Sequence, residues 1–321
     1  MALILAALPA SSDPHVQRWP GEEVVVTTPI GPQRLFVRRG GTPGCAPMVF
    51  IHGLGGSATN WTDLMAALAP SIDGHAIDLP GHGFSGPSPS GKYRPSDHIA
   101  AILAYLDVVL PGQAVHLVGN SMGGLVSTLF AARHPERVLT LTLVSPALPD
   151  VRPVVMASRT PLLAASFFGP ILLKSMQKGS PRERATRLLG LCYAEPSRIR
   201  PARVEEVVED YKARADHEWA QPAFLDSLRG IVASTFARGD RDVWAQARTI
   251  EAPVLWIHGK ADRLVHWGLV RRGARSFKHC STLIVEDSGH VTQMEHPELT
   301  ARAILAHMKK APSSAAWTAC G

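Results

Sequence analysis

Apolar and polar positions along this chain follow two rhythms. Short apolar runs bounded by glycine, proline or asparagine read as buried strands, and between them apolar residues recur every three to four positions, the spacing of a helix face. Val24-Val25-Val26-Thr27 and Arg34-Leu35-Phe36-Val37 flank Pro29-Ile30-Gly31-Pro32, which predicts an antiparallel hairpin. Residues 47–51 predict a short buried strand, 60–68 a helix, and 74–78 the next strand, followed by a Gly/Pro-rich loop to Gly91. Ser96 is placed to cap a helix reaching Leu110. A strand over 114–118, a helix over 124–133 and a strand over 138–144 come next.

The alternation then stops. From about Ala147 to Ala247 the chain is rich in Arg, Ala and Leu at helical spacing, with several prolines and no convincing strand pair. It resumes with a strand over 253–257, a helix over 265–277, a strand over 281–285 and a last helix over 294–309. The fold class this predicts is α/β, a mostly parallel sheet with helices on both faces and an inserted helical segment. The expected divisions are an N-terminal extension 1–23, a first core part 24–147, the helical insertion 148–247, a second core part 248–310 and a flexible Ser/Ala-rich tail 311–321.

Composition narrows the class. With 321 residues, 45% hydrophobic and 19% charged, the chain has the make-up of a globular protein with a sizeable core. No apolar run reaches the length of a membrane span. Residues 1–10 have the apolar character of a short signal peptide but no basic flank, so a cytoplasmic location is expected. Cys45, Cys192, Cys280 and Cys320 show no metal-ligand or C-x-x-C spacing and read as four free thiols. The net charge is +6. Its arginines are interleaved with acids and helix formers, which reads as solvated helix faces, so no nucleic-acid partner is expected.

The chemistry concentrates at strand ends. Gly119-Asn120-Ser121-Met122-Gly123 is a G-x-S-x-G between a strand-like and a helix-like run. A serine hydroxyl becomes a nucleophile when a base takes its proton and a third group holds that base. In a strand–turn–helix setting the partners follow in the order Ser, Asp or Glu, His. Asp262 lies on the loop after the strand at 253–257, and His290 on the loop after the strand at 281–285. Asp150, after the strand at 138–144, is the alternative acid. Glu286 and Asp287 stand nearer His290 in sequence but end a strand and read as solvated or turn-forming. An oxyanion hole needs two backbone N–H groups aimed at developing charge. Met122 supplies one, and Leu54 in His52-Gly53-Leu54-Gly55-Gly56 is the candidate for the other.

His52-Gly53-Leu54-Gly55-Gly56, Asp78-Leu79-Pro80-Gly81-His82-Gly83-Phe84-Ser85, Gly119-Asn120-Ser121-Met122-Gly123-Gly124, Gly259…Asp262 and Gly289-His290…Glu295-His296-Pro297 occur in that order. On these stretches the chain resembles the α/β-hydrolase superfamily, in its serine-nucleophile branch with a helical cap. The resemblance implies Ser121 as nucleophile, Asp262 as acid and His290 as base. It makes Asp78–Ser85 a structural turn and 148–247 a cap over the pocket. His52, His134, His258 and His296 read as ordinary loop or helix-end residues, and His266 stands where many relatives have proline. Phe167, Phe168 and Val291 are the candidate substrate-binding residues, beside the simpler reading that such side chains pack the cap onto the core.

Serine at this position implies acyl chemistry on a small, apolar ester, lactone or thioester. Gly119–Gly124 also resembles the hydrolases that break C–C bonds in vinylogous 1,5-diketones, but Val291 replaces the tryptophan usual there. A non-catalytic ligand receptor on the same fold is the reading from another class. No phosphate loop, dinucleotide fingerprint or metal spacing is present, so neither cofactor nor metal is expected.

Overall fold

The computed structural model describes residues 2–5, 19–150 and 178–311. Nine strands form one sheet: β1 (Ala2–Leu5), β2 (Gly21–Thr28), β3 (Gly31–Gly41), β4 (Ala46–Ile51), β5 (Ile72–Asp78), β6 (Val115–Asn120), β7 (Val138–Val144), β8 (Val254–Gly259) and β9 (Cys280–Val285). Their order is β1-β9-β8-β7-β6-β4-β5-β3-β2. The β2/β3 and β3/β5 pairs are antiparallel and the rest are parallel. The expected hairpin is present, with Thr28 opposite Gly31. β4 lies between β5 and β6, so strand order reverses there. The crevice beyond the carboxyl ends of β4 and β6 is where such sheets place ligands.

Strand alternation explains the two-sided core. Val49, Ile51, Leu117, Leu141 and Trp256 face one cluster, while Met48, Phe50, Val118, Val144 and Ile257 face the other. Helices Pro95–Val109 and Met122–Arg133 cover the first face; helices Thr62–Leu68 and Pro297–Met308 cover the second. Burial on both faces is why these strands read as continuous apolar runs.

Three expectations are corrected. Residues 1–23 are not wholly an extension outside the core, because Ala2–Leu5 pairs in parallel with β9 and forms the sheet edge. A four-residue apolar run, read locally, carries no sign of a partner strand so far along the chain. The helix expected to start behind Ser96 begins at Pro95, behind Arg94. Asp97 accepts the Arg94 N–H at 2.9 Å, and Pro95 fits the first helical position, where no N–H is needed. Cys45 is disulfide-bonded, whereas Cys192 and Cys280 are free; Cys320 lies outside the described residues.

Between β7 and β8 the described residues form only helices: Pro181–Cys192, Pro201–Ala213, Ala220–Phe236 and Val243–Ala247, with short 3-10 turns. The first has a reciprocal cap, Ser180 Oγ accepting from Glu183 N and Glu183 Oε2 from Ser180 N. Buried polar groups join this stretch to the core. Arg200 and Arg203 pair with Asp63, and Asp210 accepts from Ser57 Oγ.

Close backbone passage at the β6 turn sets a stability prediction. A Cβ added to Gly123 would lie 2.1 Å from Ile51 O and 2.6 Å from His52 O. Backbone atoms cannot swing aside, so Gly123→Ala is expected to cost about 1–3 kcal/mol or more. Gly190, inside a helix with nothing within 4 Å of an added Cβ, is the control: Gly190→Ala should leave the melting temperature unchanged or raise it. Equal thermal midpoints for wild type and Gly123→Ala would contradict the packing argument.

Candidate active site

Ser121 joins β6 to the helix Met122–Arg133 at φ 53°, ψ −117°, a backbone conformation that L residues avoid. Ser121 N donates to Val144 O at 3.1 Å, and Ala147 N donates to Ser121 O at 2.9 Å. The glycines make the turn possible. A Cβ on Gly119 would lie 2.4 Å from Gly123 O, and one on Gly124 2.6 Å from Pro146 Cβ. Strand and helix therefore run too close for side chains, and the strain at Ser121 persists because its surroundings over-determine it.

The loop after β4 runs beside this serine. A Cβ on Gly53 would be 3.1 Å from Ser121 Cβ. Met122 begins its helix, so its N–H has no intrahelical partner. Neither that group nor Leu54 N–H donates a backbone hydrogen bond to another described loop, cap or turn. His52 braces the loop. Its Nε2 accepts from Leu79 N at 3.0 Å, so Nδ1 carries the hydrogen and donates to Gly53 O at 2.7 Å. Burial, helped by neighbouring His82, pushes His52 down to about 3. It is a neutral strut, as its loop reading requires.

The structure brings Asp262 and His290 together. His290 Nδ1 donates to Asp262 Oδ2 at 2.9 Å. Asp262 Oδ1 accepts from Leu264 N at 2.8 Å and Val265 N at 3.0 Å. Burial alone would raise this carboxyl, but the charges and hydrogen bonds of His290 and His258 outweigh it and hold Asp262 well below the usual carboxylate range. The partner of His290 Nδ1 is thus Asp262, not Asp150. Glu286 is exposed and pairs with Lys260, while Asp287 is half-buried in the turn and pairs with Arg198 and His296. His266 has φ −69°, the angle a proline would impose, and its Nδ1 caps the next turn by accepting from Gly268 N at 3.0 Å.

Two side chains outside the expected site tie the parts together. Asn120, an unspecified position of G-x-S-x-G, donates from Nδ2 to Val144 O at 3.0 Å and to His290 O at 3.1 Å. The residue before Ser121 thereby fixes the backbone of His290. His258, expected to be an ordinary loop residue, is a fully buried member of β8, 3.2 Å from Asp262 Oδ2 through Nε2. Asn120 offered only its place in the motif as a signal. His258 offered four-residue spacing from the candidate acid, on a strand end rather than a helix.

The helical stretch closes around these loops. His290 N donates to Cys192 O at 2.7 Å, Ala194 N to Glu295 Oε2 at 2.9 Å, and Arg263 to the carbonyls of Gly190 and Ala194. Phe224 lies over Gly55, its ring 3.3 Å from where a Cβ would stand. Val291 is buried in a cluster with Leu189, Tyr193 and Val204, so its side chain packs the helical stretch onto the core. Phe167 and Phe168 lie outside the described residues.

The model of the alpha/beta hydrolase fold family matches residues 46–297. The dihydrolipoyllysine-residue acetyltransferase component of the acetoin cleaving system of Pseudomonas putida is 27% identical over 273 residues, 84% of this chain and 65% of that protein. A Cupriavidus necator counterpart is matched over 29% of its length, so the chain spans less than two thirds of these relatives. A pimeloyl-[acyl-carrier protein] methyl ester esterase of Xanthomonas campestris pv. campestris is 30% identical over 80% of this chain and 92% of its own. Among solved structures, 2-hydroxy-6-oxo-6-phenylhexa-2,4-dienoate hydrolase from Rhodococcus superposes with a TM-score of 0.72 at 22% identity, covering 90% of this chain and all of that one, a likeness of fold. With the match across most of its length, the serine turn at the switch point and the Asp262–His290 pair, this chain belongs to the α/β-hydrolase superfamily.

Proposed function

We propose that this hydrolase cleaves a carboxylic ester, lactone or thioester through an acyl-enzyme on Ser121. The observation that carries the reading is the Asp262–His290 bond of 2.9 Å on a loop that Asn120 anchors directly behind the strained Ser121. In the first half-reaction Ser121 Oγ attacks the acyl carbon while His290 Nε2 takes the hydroxyl proton. Asp262 holds the Nδ1–H and stabilises the imidazolium. The N–H groups of Leu54 and Met122 receive the oxyanion. His290 then protonates the leaving alcohol or thiol. In the second half-reaction it takes a proton from water, which attacks the acyl carbon, and returns that proton to Ser121 Oγ as the acyl–oxygen bond breaks.

Residues 148–247 form the cap in this reading and select the substrate. Phe224 over Gly55 and the cluster around Val291 support that role, since both set helical-stretch side chains against the loops that carry the chemistry. A screen of p-nitrophenyl esters of rising chain length, beside a vinylogous 1,5-diketone, tests the reading. Ester turnover with no diketone cleavage is the expected result; the reverse would favour C–C hydrolysis, and neither would favour a ligand receptor.

The pH profile follows from the same chemistry. An imidazole base works only when neutral, and free imidazole side chains titrate near about 6.5. Asp262 stays ionised well below that range, so it adds no ionisation between pH 5 and about 8. A single rise of kcat/KM from acid to neutral pH is expected. A profile already flat at about pH 5 would contradict an imidazole base.

A further inference from the structure

β8 ends in a chain of three side chains that leads to the acid. Trp256 Nε1 lies 3.1 Å from His258 Nδ1, and His258 Nε2 lies 3.2 Å from Asp262 Oδ2 and 3.1 Å from Val265 O. An indole N–H can only donate. His258 Nδ1 must therefore offer its lone pair, which leaves the ring hydrogen on Nε2. That hydrogen faces two acceptors, the Asp262 carboxylate and the Val265 carbonyl. No other arrangement of hydrogens satisfies Trp256, so the tautomer of His258 is set by its neighbour two residues upstream.

Asp262 Oδ2 consequently accepts from His290 Nδ1 and has His258 Nε2 3.2 Å away, while Oδ1 accepts from two backbone N–H groups. We propose that His258 is a positioning residue: locked as an Nε2–H donor by Trp256, it fixes the Asp262 carboxylate and weakens its hold on the charged form of His290. The inference rests on the Ser121–His290–Asp262 reading and deepens it. The physical reason is competition for one oxygen. A carboxylate oxygen that already accepts a second hydrogen bond is a poorer acceptor for an imidazolium, so the base returns its proton to the leaving group more readily. The His258 contact at 3.2 Å also restrains the carboxylate plane against rotation, as outer partners do for ligating groups.

The other groups around this pair are accounted for. Cys192 faces Asp262 and Glu295, and burial pushes its thiol up to about 12, so it brings no charge. Glu295 accepts from Gly289 N and Ser288 Oγ on the histidine loop. Asn120 holds the carbonyl of His290. None of these reaches Asp262 Oδ2 by a hydrogen bond, so His258 is the side chain besides His290 that acts on that oxygen among the described residues.

His258→Leu and His258→Gln on the full chain test the proposal, with kcat, KM and the pH profile measured for the ester that wild type turns over best. His258→Leu should lower kcat by less than the roughly 10⁴-fold expected for loss of the acid's own role, with KM little changed. The acid limb of kcat/KM should move upward by about half a unit to one unit, the effect of one exchanged hydrogen bond. His258→Gln, whose amide N–H can stand near Nε2, should restore most of both. A loss of kcat with the acid limb unmoved would reduce His258 to packing and overturn the proposal, as would an unchanged enzyme. Nitrogen chemical shifts of the imidazoles in wild-type protein give a test that needs no variant to fold. His258 should show the Nε2–H tautomer at neutral pH, and an Nδ1–H signal would overturn the lock. Failure of the underlying reading looks different, because Ser121→Ala and Asp262→Asn would then also leave turnover intact.

Discussion

Ser121→Ala should lose essentially all hydrolysis, a fall on the order of 10⁶ in kcat, with the melting temperature unchanged or higher. The reason is chemical and conformational together. Removing Oγ removes the atom that carries the acyl group, so no covalent intermediate forms and the remaining imidazole has nothing to activate but water. The same change relieves no packing, since Ser121 Oγ makes no hydrogen bond among the described residues and the turn is built by backbone bonds and glycines. Labelling by an organophosphonate gives the cleanest measurement: one adduct on wild type, located at Ser121, and none on the variant. Turnover by Ser121→Ala at the wild-type rate would remove the nucleophile from the proposed mechanism.

Asp262→Asn should cost on the order of 10⁴ in kcat while Asp150→Asn costs little. An asparagine at 262 keeps size and shape but places an amide where one oxygen accepts from His290 Nδ1, with His258 Nε2 3.2 Å away, and the other accepts from two backbone N–H groups. Whichever way the amide turns, an N–H faces a donor. With the amide N–H toward His290, histidine satisfies it only as the wrong tautomer, with the hydrogen on the nitrogen that should receive the serine proton. Because the carboxyl is charged far below neutral pH, its charge also contributes to native stability above the unfolded carboxylate range. That contribution is lost as pH falls, and the variant should show a weaker acid-side decline in melting temperature than wild type. If Asp150→Asn is the damaging change, the acid is misassigned.

Much of this was legible in the sequence, for a physical reason. Strands buried on both faces are continuous apolar runs, and β4, β6, β7 and β8 announce themselves that way. The turn at Ser121 was legible because glycine is demanded where Ile51 O and Gly123 nearly touch. Hydrogen-bond partners were not, because periodicity assigns a residue to a face and says nothing of what lies opposite. Asn120 and His290 are 170 residues apart, and β1 finds its place against β9 from the far end of the chain. His258 was misread for a related reason: a histidine after Trp256 and Ile257 looks like the fraying end of a strand, yet it is fully buried beside Trp256, Asp262 and the Val265 carbonyl.

The carbonyl of Cys192 that holds His290 N–H, with Gly289 pressed so close that a Cβ would stand 2.3 Å from that oxygen, bears on redesign. If the helical stretch selects the substrate as proposed, exchanging it between relatives is a route to redesign. Here the graft junction would cut through the support of the base itself. A donor segment whose main chain departs at 190–194 would lose the Cys192 carbonyl from the His290 N–H, and turnover is expected to fall. Keeping Gly190–Ala194 from the recipient preserves that support.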